Sequence, residues 1–277
     1  KEKFNVKEDK NQITLENNGF EISFDKQNGE ILYWKYDGFK VISNKKGSPH
    51  YNNNRWIEND RHGDSISGEL ASTCEINLNK EHTKAEVKIT TTNEKCPYTI
   101  EYTIYSNNTI DMKLTLTPIV KDLRRLGIGM IFSKDFEEID YYAKGPWENY
   151  NDRQEASFVG RYSTTVTDML TPYAHPQSCG NRQEMREIFL YKKGSTKGLK
   201  IEANQPIAFS MLHFDDKDFN KEKLHPWELE AREEVYAHFD YVQRGLGNGS
   251  CGPQTIEKYQ VPSSGTYSFT LRFSPLR

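Results

Sequence analysis

TIEYTIYSNNTIDMKLTLT, Thr99 to Thr117, decides the fold class. In its first half Ile100, Tyr102 and Ile104 fall on one face, with Glu101 and Thr103 on the other. That is the period-2 alternation of a half-buried strand. The second half reads as another strand, and Asn107-Asn108 between them marks a tight turn. The spacing predicts an antiparallel pair.

The same signal recurs on both sides. Upstream, Ile13 and Leu15, then Phe20, Ile22 and Phe24, alternate with polar residues; DKQNG, Asp25 to Gly29, follows as turn chemistry. Ile31 and Tyr33 begin the return strand, and AEVKITT is a further one. Downstream, strands are expected at GIGMIFS, IDYYAK, GLKIEA, IAFSMLHF, VYAHFDYV and TYSFTLRF. One helix-like stretch stands out, PWELEAREEV, with Pro226 at its start and acidic residues in its first turn. Strands at short intervals with turns between them predict an all-β, large two-sheet antiparallel sandwich with at most short helices. No repeat, low-complexity tract or linker divides the chain, so residues 1–277 are expected to form a single domain. The span Tyr141–Arg186 shows no run of helical or strand periodicity, and long irregular segments are commonly functional or interfacial.

Composition narrows the class of function. The 277 residues suffice for a sizeable core, and 16 Tyr and 14 Phe supply much of the apolar bulk. A net charge of −3 with both signs interspersed gives no electrostatic case for nucleic acid or an anionic membrane. No apolar run approaches the roughly 20 residues of a membrane span. The four cysteines, Cys74, Cys96, Cys179 and Cys251, form no C-x-x-C pair, and the seven histidines show no ligand spacing, so no metal site is expected. Free thiols are the simpler reading; a Cys74–Cys96 bridge would require an oxidising compartment. The chain begins KEKFNVKEDK without an initiator Met, as in a processed protein or a piece of a longer one. A periplasmic or secreted location is slightly favoured over a cytoplasmic one.

Two sets of residues offer chemistry. Glu148 and Asp152 sit close enough in sequence to suggest a two-carboxylate glycosidase pair, which for retention must stand about 5–5.5 Å apart. Against that, Asp152 adjoins Arg153, with Arg161 and Arg182 nearby in sequence, and an arginine–carboxylate fork would order an irregular loop. Asn149 and Tyr150 would then be loop-ordering hydrogen-bonders. Trp34, Trp56, Trp147 and Trp227 are candidate sugar-stacking surfaces.

Four ordered motifs then carry a resemblance. GPWENYNDR (Gly145–Arg153) with the VGRY of Val159–Tyr162, TPYAHPQSCGNRQEMR (Thr171–Arg186), GLGNGSCGP (Gly245–Pro253) and NRWIEND (Asn54–Asp60) resemble the C-terminal domain of family-2 β-galactosidases. The family patterns are G-P-x-E-N-Y-x-D-R, T-P-Y-x-x-P-Q-x-x-G-N-R, G-x-G-G/N-x-x-x-x-x-P and R-x-x-x-D-N-D, the last here with Glu58 for its first Asp. The correspondence runs over nearly the whole chain.

The resemblance implies a supersandwich like that of galactose mutarotase, and a chain that is the last domain of a longer retaining β-galactosidase. It implies that the catalytic glutamates lie in a preceding barrel domain, so this chain carries no catalytic residue and is inactive alone. Glu148 and Asp152 then hold the loop. Its implied partners are that barrel and a β-galactoside; it needs no cofactor, whereas ions are compatible with the missing catalytic domain. The implied substrate-binding residues are Cys251, Ser250 and Asn248 on one loop and Asn59 and Asp60 on another. Cys251 departs from the family, whose members often carry tryptophan near this position. The alternatives are a free-standing carbohydrate-binding module and an aldose 1-epimerase. For the latter, the shared mutarotase fold implies a proton-transfer pair, with His175 and His213, and Glu148 or Glu228, as its candidates.

Overall fold

The computed structural model describes residues 2–57, 72–247 and 255–276. Strands β1 (Asn5–Glu8), β2 (Gln12–Asn17), β3 (Phe20–Asp25), β4 (Ile31–Tyr36) and β5 (Phe39–Ile42) form a five-stranded antiparallel meander. After the short β6 (His50–Tyr51) come β7 (Ser72–Leu78), β8 (Lys84–Thr91), β9 (Tyr98–Tyr105) and β10 (Ile110–Leu116). Then follow β11 (Arg125–Phe132), β12 (Phe136–Gly145), β13 (Phe158–Thr165) and β14 (Arg182–Lys192). The chain closes with β15 (Gly198–Leu212), β16 (Val235–Gln243) and β17 (Tyr267–Leu276).

The second sheet runs β13-β12-β14-β15-β17-β10-β9-β8-β7, with β16 pairing β15 and β11, and β11 pairing β6. The hairpin of Thr99–Thr117 is present, with Tyr102 opposite Met112 and Ile104 opposite Ile110. Asn108 takes a positive φ of 72° at its turn, a conformation Asn tolerates better than most residues. Burial alternates strictly along β9 and β10, which is why the pattern was readable.

Strand β15 is the fork. Gly198–Ala203 pairs with β17 and Ala208–Leu212 with β16, so GLKIEA and IAFSMLHF are two ends of one strand. Between them lies Asn204-Gln205-Pro206, and Pro206 has no N–H to give to a ladder. One core joins the sheets: Trp34 meets Phe273 edge-on at 5.4 Å, Phe24 meets Tyr102 at 5.5 Å and Phe39 meets Phe136 at 5.7 Å.

Two expectations fail. PWELEAREEV is a single 3-10 turn, Pro226–Glu228, rather than a longer helix. The Glu228 carboxylate reaches back to the N–H groups of Leu224 (2.6 Å) and His225 (2.9 Å), and Arg232 is drawn onto Asp218 at 2.7 Å, so the segment closes on itself. The span Tyr141–Arg186 is also less irregular than it reads. It contains the end of β12 and all of β13, and β14 begins at Arg182; its loops are 146–157 and 166–181. β13 is an edge strand whose exposed Phe158 and Val159 break the inside–outside alternation. Among the described residues no helix is long and apolar enough to cross a membrane.

The four tryptophans separate by burial. Trp34 is core at 1% exposure and is excluded as a sugar wall, whereas Trp147 and Trp227 are 71% and 78% exposed. Trp34→Ala is expected to destabilise by about 3–5 kcal/mol, and Trp227→Ala by no more than about 0.5 kcal/mol. Urea midpoints of the two variants check this; equal losses would show that Trp34 is not a packing residue.

Candidate functional site

Buried polar side chains gather where three loop stems meet, at 53–57, 145–153 and 243–247. Asn149 organises the middle one. Fully buried, it donates from Nδ2 to the carbonyls of Lys144 (3.2 Å) and Trp147 (2.9 Å) and accepts at Oδ1 from Gln183 N (2.8 Å). Its backbone exchanges bonds with Asn181 at 2.8 and 2.7 Å. Tyr150 and Arg153 exchange backbone bonds at 3.0 and 2.9 Å, closing a tight turn over Asn151 and Asp152.

The two carboxylates of this loop are both occupied. Glu148 accepts from Gly180 N (2.9 Å), from the Arg153 guanidinium (2.6 Å) and from the Tyr173 hydroxyl. Asp152 accepts from Leu246 N (3.0 Å) and Gly247 N (2.8 Å). Gly245 makes this approach feasible, since a Cβ there would lie 2.5 Å from Asp152 Oδ2. The arginine expected at Asp152 is therefore absent among the described residues. Arg153 serves Glu148, Arg161 pairs with Glu187 at 2.5 Å and Arg182 donates to Gly180 O at 3.0 Å. The physical reason is that the glycine-rich stem has left its ladder, and its N–H groups need acceptors.

Arg55 ties the first stem to the third. Only 2% exposed, it donates to Gln243 Oε1 and Gly245 O, each at 3.3 Å, and to Arg244 O. Asn151 Nδ2 reaches Gln243 O at 2.9 Å, and Gln243 Nε2 reaches Asn181 Oδ1 at 3.2 Å. Asn59 and Asp60, and Asn248, Ser250 and Cys251, lie outside the described residues. Their segments continue from the stems that Arg55 and Asp152 draw together.

Beneath the stems runs a charged network that sequence reasoning missed. Arg125 pairs with Asp240 at 2.7 Å, the side chains being 4% and 0% exposed, and its second nitrogen lies 3.6 Å from Asp216. His238 Nε2 meets Asp216 Oδ2 at 2.5 Å, and Ser178 donates to Asp216 Oδ1 at 2.8 Å. Burial alone would raise the Asp216 carboxyl; His238, Arg125 and the Ser178 hydroxyl outweigh it and hold it at about 2. The available signals were Asp240 in an otherwise buried strand and the G-x-G of Gly127 and Gly129. A Cβ on Gly127 would sit 2.2 Å from Asp240 Oδ1.

His213 does not form the pair expected for it. His213 Nε2 meets Glu137 Oε2 at 2.6 Å, while Glu228 is the turn cap and Glu148 the loop acceptor. Burial would raise Glu137, but hydrogen bonds from Thr167 and His213 hold it below the usual carboxylate range. Cys74, Cys96 and Cys179 are free, and burial pushes their thiols up to about 11, 12 and 12. They are protonated at neutral pH and poor nucleophiles. Among the described residues no group of three or more His, Cys, Asp or Glu could hold a metal ion.

The fold and the ordered motifs define a mutarotase-like supersandwich of the β-galactosidase type. A family model described as the β-galactosidase small chain matches residues 16–273, and the chain belongs to that family. A β-galactosidase of Staphylococcus xylosus is 30% identical over 178 residues, 63% of this chain and 18% of that protein. Those of Priestia megaterium and Streptococcus thermophilus are 22% and 24% identical over 98% of this chain. The chain spans only 27% and 28% of their lengths. Among solved structures, a GalM/aldose epimerase homologue from C. elegans matches with TM-score 0.51 at 9% identity, over 99% of each chain. Galactose 1-epimerase from Lactobacillus acidophilus matches with TM-score 0.50 at 11% identity, over 100% of this chain and 99% of that one. At such identity the likeness is one of fold alone.

Two outcomes follow from this geometry. Asp152→Ala strands the Leu246 and Gly247 amides and is expected to destabilise by about 1–3 kcal/mol. Amide exchange at those two positions should rise together, and unchanged protection would show that the carboxylate does not hold the stem. The second concerns acid. Asp216 has a folded-state pKa of about 2, below its unfolded value, so its contribution is full above the unfolded value and fades as pH falls through about 2. It should account for on the order of 2 kcal/mol of lost stability between about pH 4 and pH 2. Asp216→Asn should be less stable at pH 7 but fall less steeply in that window; parallel denaturation curves would refute the assignment.

Proposed function

We propose that this chain is a single domain, the C-terminal domain of a retaining β-galactosidase that hydrolyses terminal β-D-galactosides. It braces a preceding catalytic barrel of the same polypeptide and contributes one wall of the sugar pocket. It supplies no catalytic carboxylate and does not hydrolyse galactosides alone. One observation carries the reading: Arg55 and Asp152 fasten together the stems of the 58–71 and 248–254 segments. Those segments hold Asn59, Asp60, Asn248, Ser250 and Cys251. Glu148 and Asp152, the only carboxylates on the Gly145–Arg153 loop, are consumed as acceptors for that architecture. Asn59 and Asp60 are assigned to the sugar side, with Cys251 in place of an aromatic wall. A carbohydrate-binding module is the second reading, favoured by the exposed rings of Trp147 and Trp227. The epimerase reading is weakened at His213, which pairs with Glu137 instead of Glu148 or Glu228.

In the intact enzyme, Cys251→Trp should tighten binding of a simple aryl galactoside. An aromatic wall is worth about 0.5–1.5 kcal/mol, or roughly two- to twelve-fold in affinity. Bulkier galactosides should lose ground in the same variant. Glu148→Gln should leave kcat per folded molecule within about ten-fold, far short of the loss of an essential acid or base. Unchanged kinetics for Cys251→Trp on every substrate would remove this loop from the pocket. A collapse of kcat in correctly folded Glu148→Gln would restore the carboxylate pair.

A further inference from the structure

β13 is one edge of the larger sheet, and its outer side has no backbone partner among the described residues. Open edges are ordinarily blunted by brevity, lysine, proline or a bulge. β1, an edge of the five-stranded sheet, is four residues long and carries Lys7 and Glu8. β13 has none of these devices. FVGRYSTT runs eight residues in unbroken register with β12 and holds one charge, Arg161. That charge leans back over the sheet. Its Nη1 lies 2.5 Å from Glu187 Oε1 on β14, and its guanidinium stands 4.9 Å from the centre of the Tyr142 ring on β12.

The core layer also runs off this edge. Phe158, Gly160 and Tyr162 share the face of Gly145, Ala143 and Tyr141, their register partners on β12. Tyr141 is buried and packs on Tyr162 at 5.5 Å between ring centroids, yet Phe158 is 71% exposed. Val159, on the other face, is 40% exposed, and Trp147, two residues beyond Gly145, is 71% exposed. Three of the eight exposed large hydrophobic side chains among the described residues therefore lie at one corner of the sheet.

A second copy of the strand fits this edge. A two-fold axis normal to the sheet keeps each face continuous and pairs residues of equal parity. Four centres bring the exposed half of β13 together. An axis at Val159 sets Phe158 against a glycine, and one at Tyr162 sets it opposite residue 166, beyond the strand. An axis at Arg161 places two arginines directly opposite each other, where like charges are destabilising. An axis at Gly160 sets Phe158 opposite Tyr162 of the second copy, an aromatic cross-strand pair, and Val159 opposite the apolar stem of Arg161. The Tyr162 ring already lies over Gly160, as a Cβ there would meet it at 3.1 Å, so the glycines at the axis are covered from both copies.

We propose that β13 is a self-association edge, at which two copies pair antiparallel about Gly160 and join their larger sheets into one. The surface uses this chain's own residues and goes beyond the galactosidase reading, since it does not depend on where a sugar pocket lies.

The test is sedimentation of the intact polypeptide that carries this chain, over a range of concentrations. A mass of two chains, or a multiple of it, is expected. Phe158→Lys combined with Val159→Lys should halve that mass at concentrations where wild type stays assembled. Both side chains are exposed, so the fold survives the exchange. Pulsed electron resonance with a nitroxide on Ser163→Cys, at an exposed position, reads the register. The axis at Gly160 sets the two residue-163 Cα atoms about 20 Å apart, against about 14 Å for an axis at Arg161. A single-chain mass at every concentration would overturn the proposal and leave the edge to another part of the same polypeptide. So would an unchanged mass in the lysine variant, which puts the contact elsewhere, or a label separation that fits another axis.

Discussion

A charge pair buried in a β-sheet sets the terms for everything at this end of the molecule. Arg125 and Asp240 face each other at 2.7 Å on neighbouring strands, with almost no contact with water. Removing either partner would leave an uncompensated buried charge, so the surroundings must satisfy the rest of the guanidinium. They do so in sequence. Asn54 O takes Arg125 Nε at 2.9 Å, and Asn53 Oδ1 takes the backbone amides of Arg124 and Arg125 at 2.7 and 3.0 Å. Those bonds fix the 53–54 backbone, which aims Arg55 at residues 243–245, where the strand that carries Asp240 ends. The glycine at 127 follows from the same constraint, because any side chain there would collide with Asp240.

The fold was legible wherever one face of a strand is dry and the other wet. β8, β9 and β10 alternate without a break, and their sequences read as strands directly. Legibility fails where burial does not follow that rule. β11, buried on both faces except at Ile131, still reads as a strand from its apolar run, but β13 exposes Phe158 and Val159 beside half-buried polar residues, so neither its apolar nor its polar residues mark a side. PWELEAREEV failed differently: its helical composition is real, but Glu228 and Arg232 find partners at short range that close a turn. Local side-chain bonds won over propensity.

At the stems, the bonds were not legible in the sequence. The motifs named the three segments that meet, yet sequence distance paired Asp152 with an arginine. Space pairs it with two amides from residues 246 and 247, more than ninety positions away. A carboxylate that binds main chain leaves no trace in the identity of its partner, except for the glycine that must stand beneath it. Gly245 was that trace. It is visible as a residue type, but nothing in the sequence says which side chain needs the room.

This division of labour bears on how one architecture hosts different chemistry. The chain shares its sandwich with galactose 1-epimerase at 11% identity, so almost none of the side chains are held in common. What a sandwich of this kind provides is a sheet stiff enough to carry buried charge and loops that leave it at one rim. Here Glu148 and Asp152 hold loop backbone: each accepts main-chain N–H. Because Arg55 and Asp152 grip carbonyls and amides, the residues at the loop tips are free to change without loosening the stems.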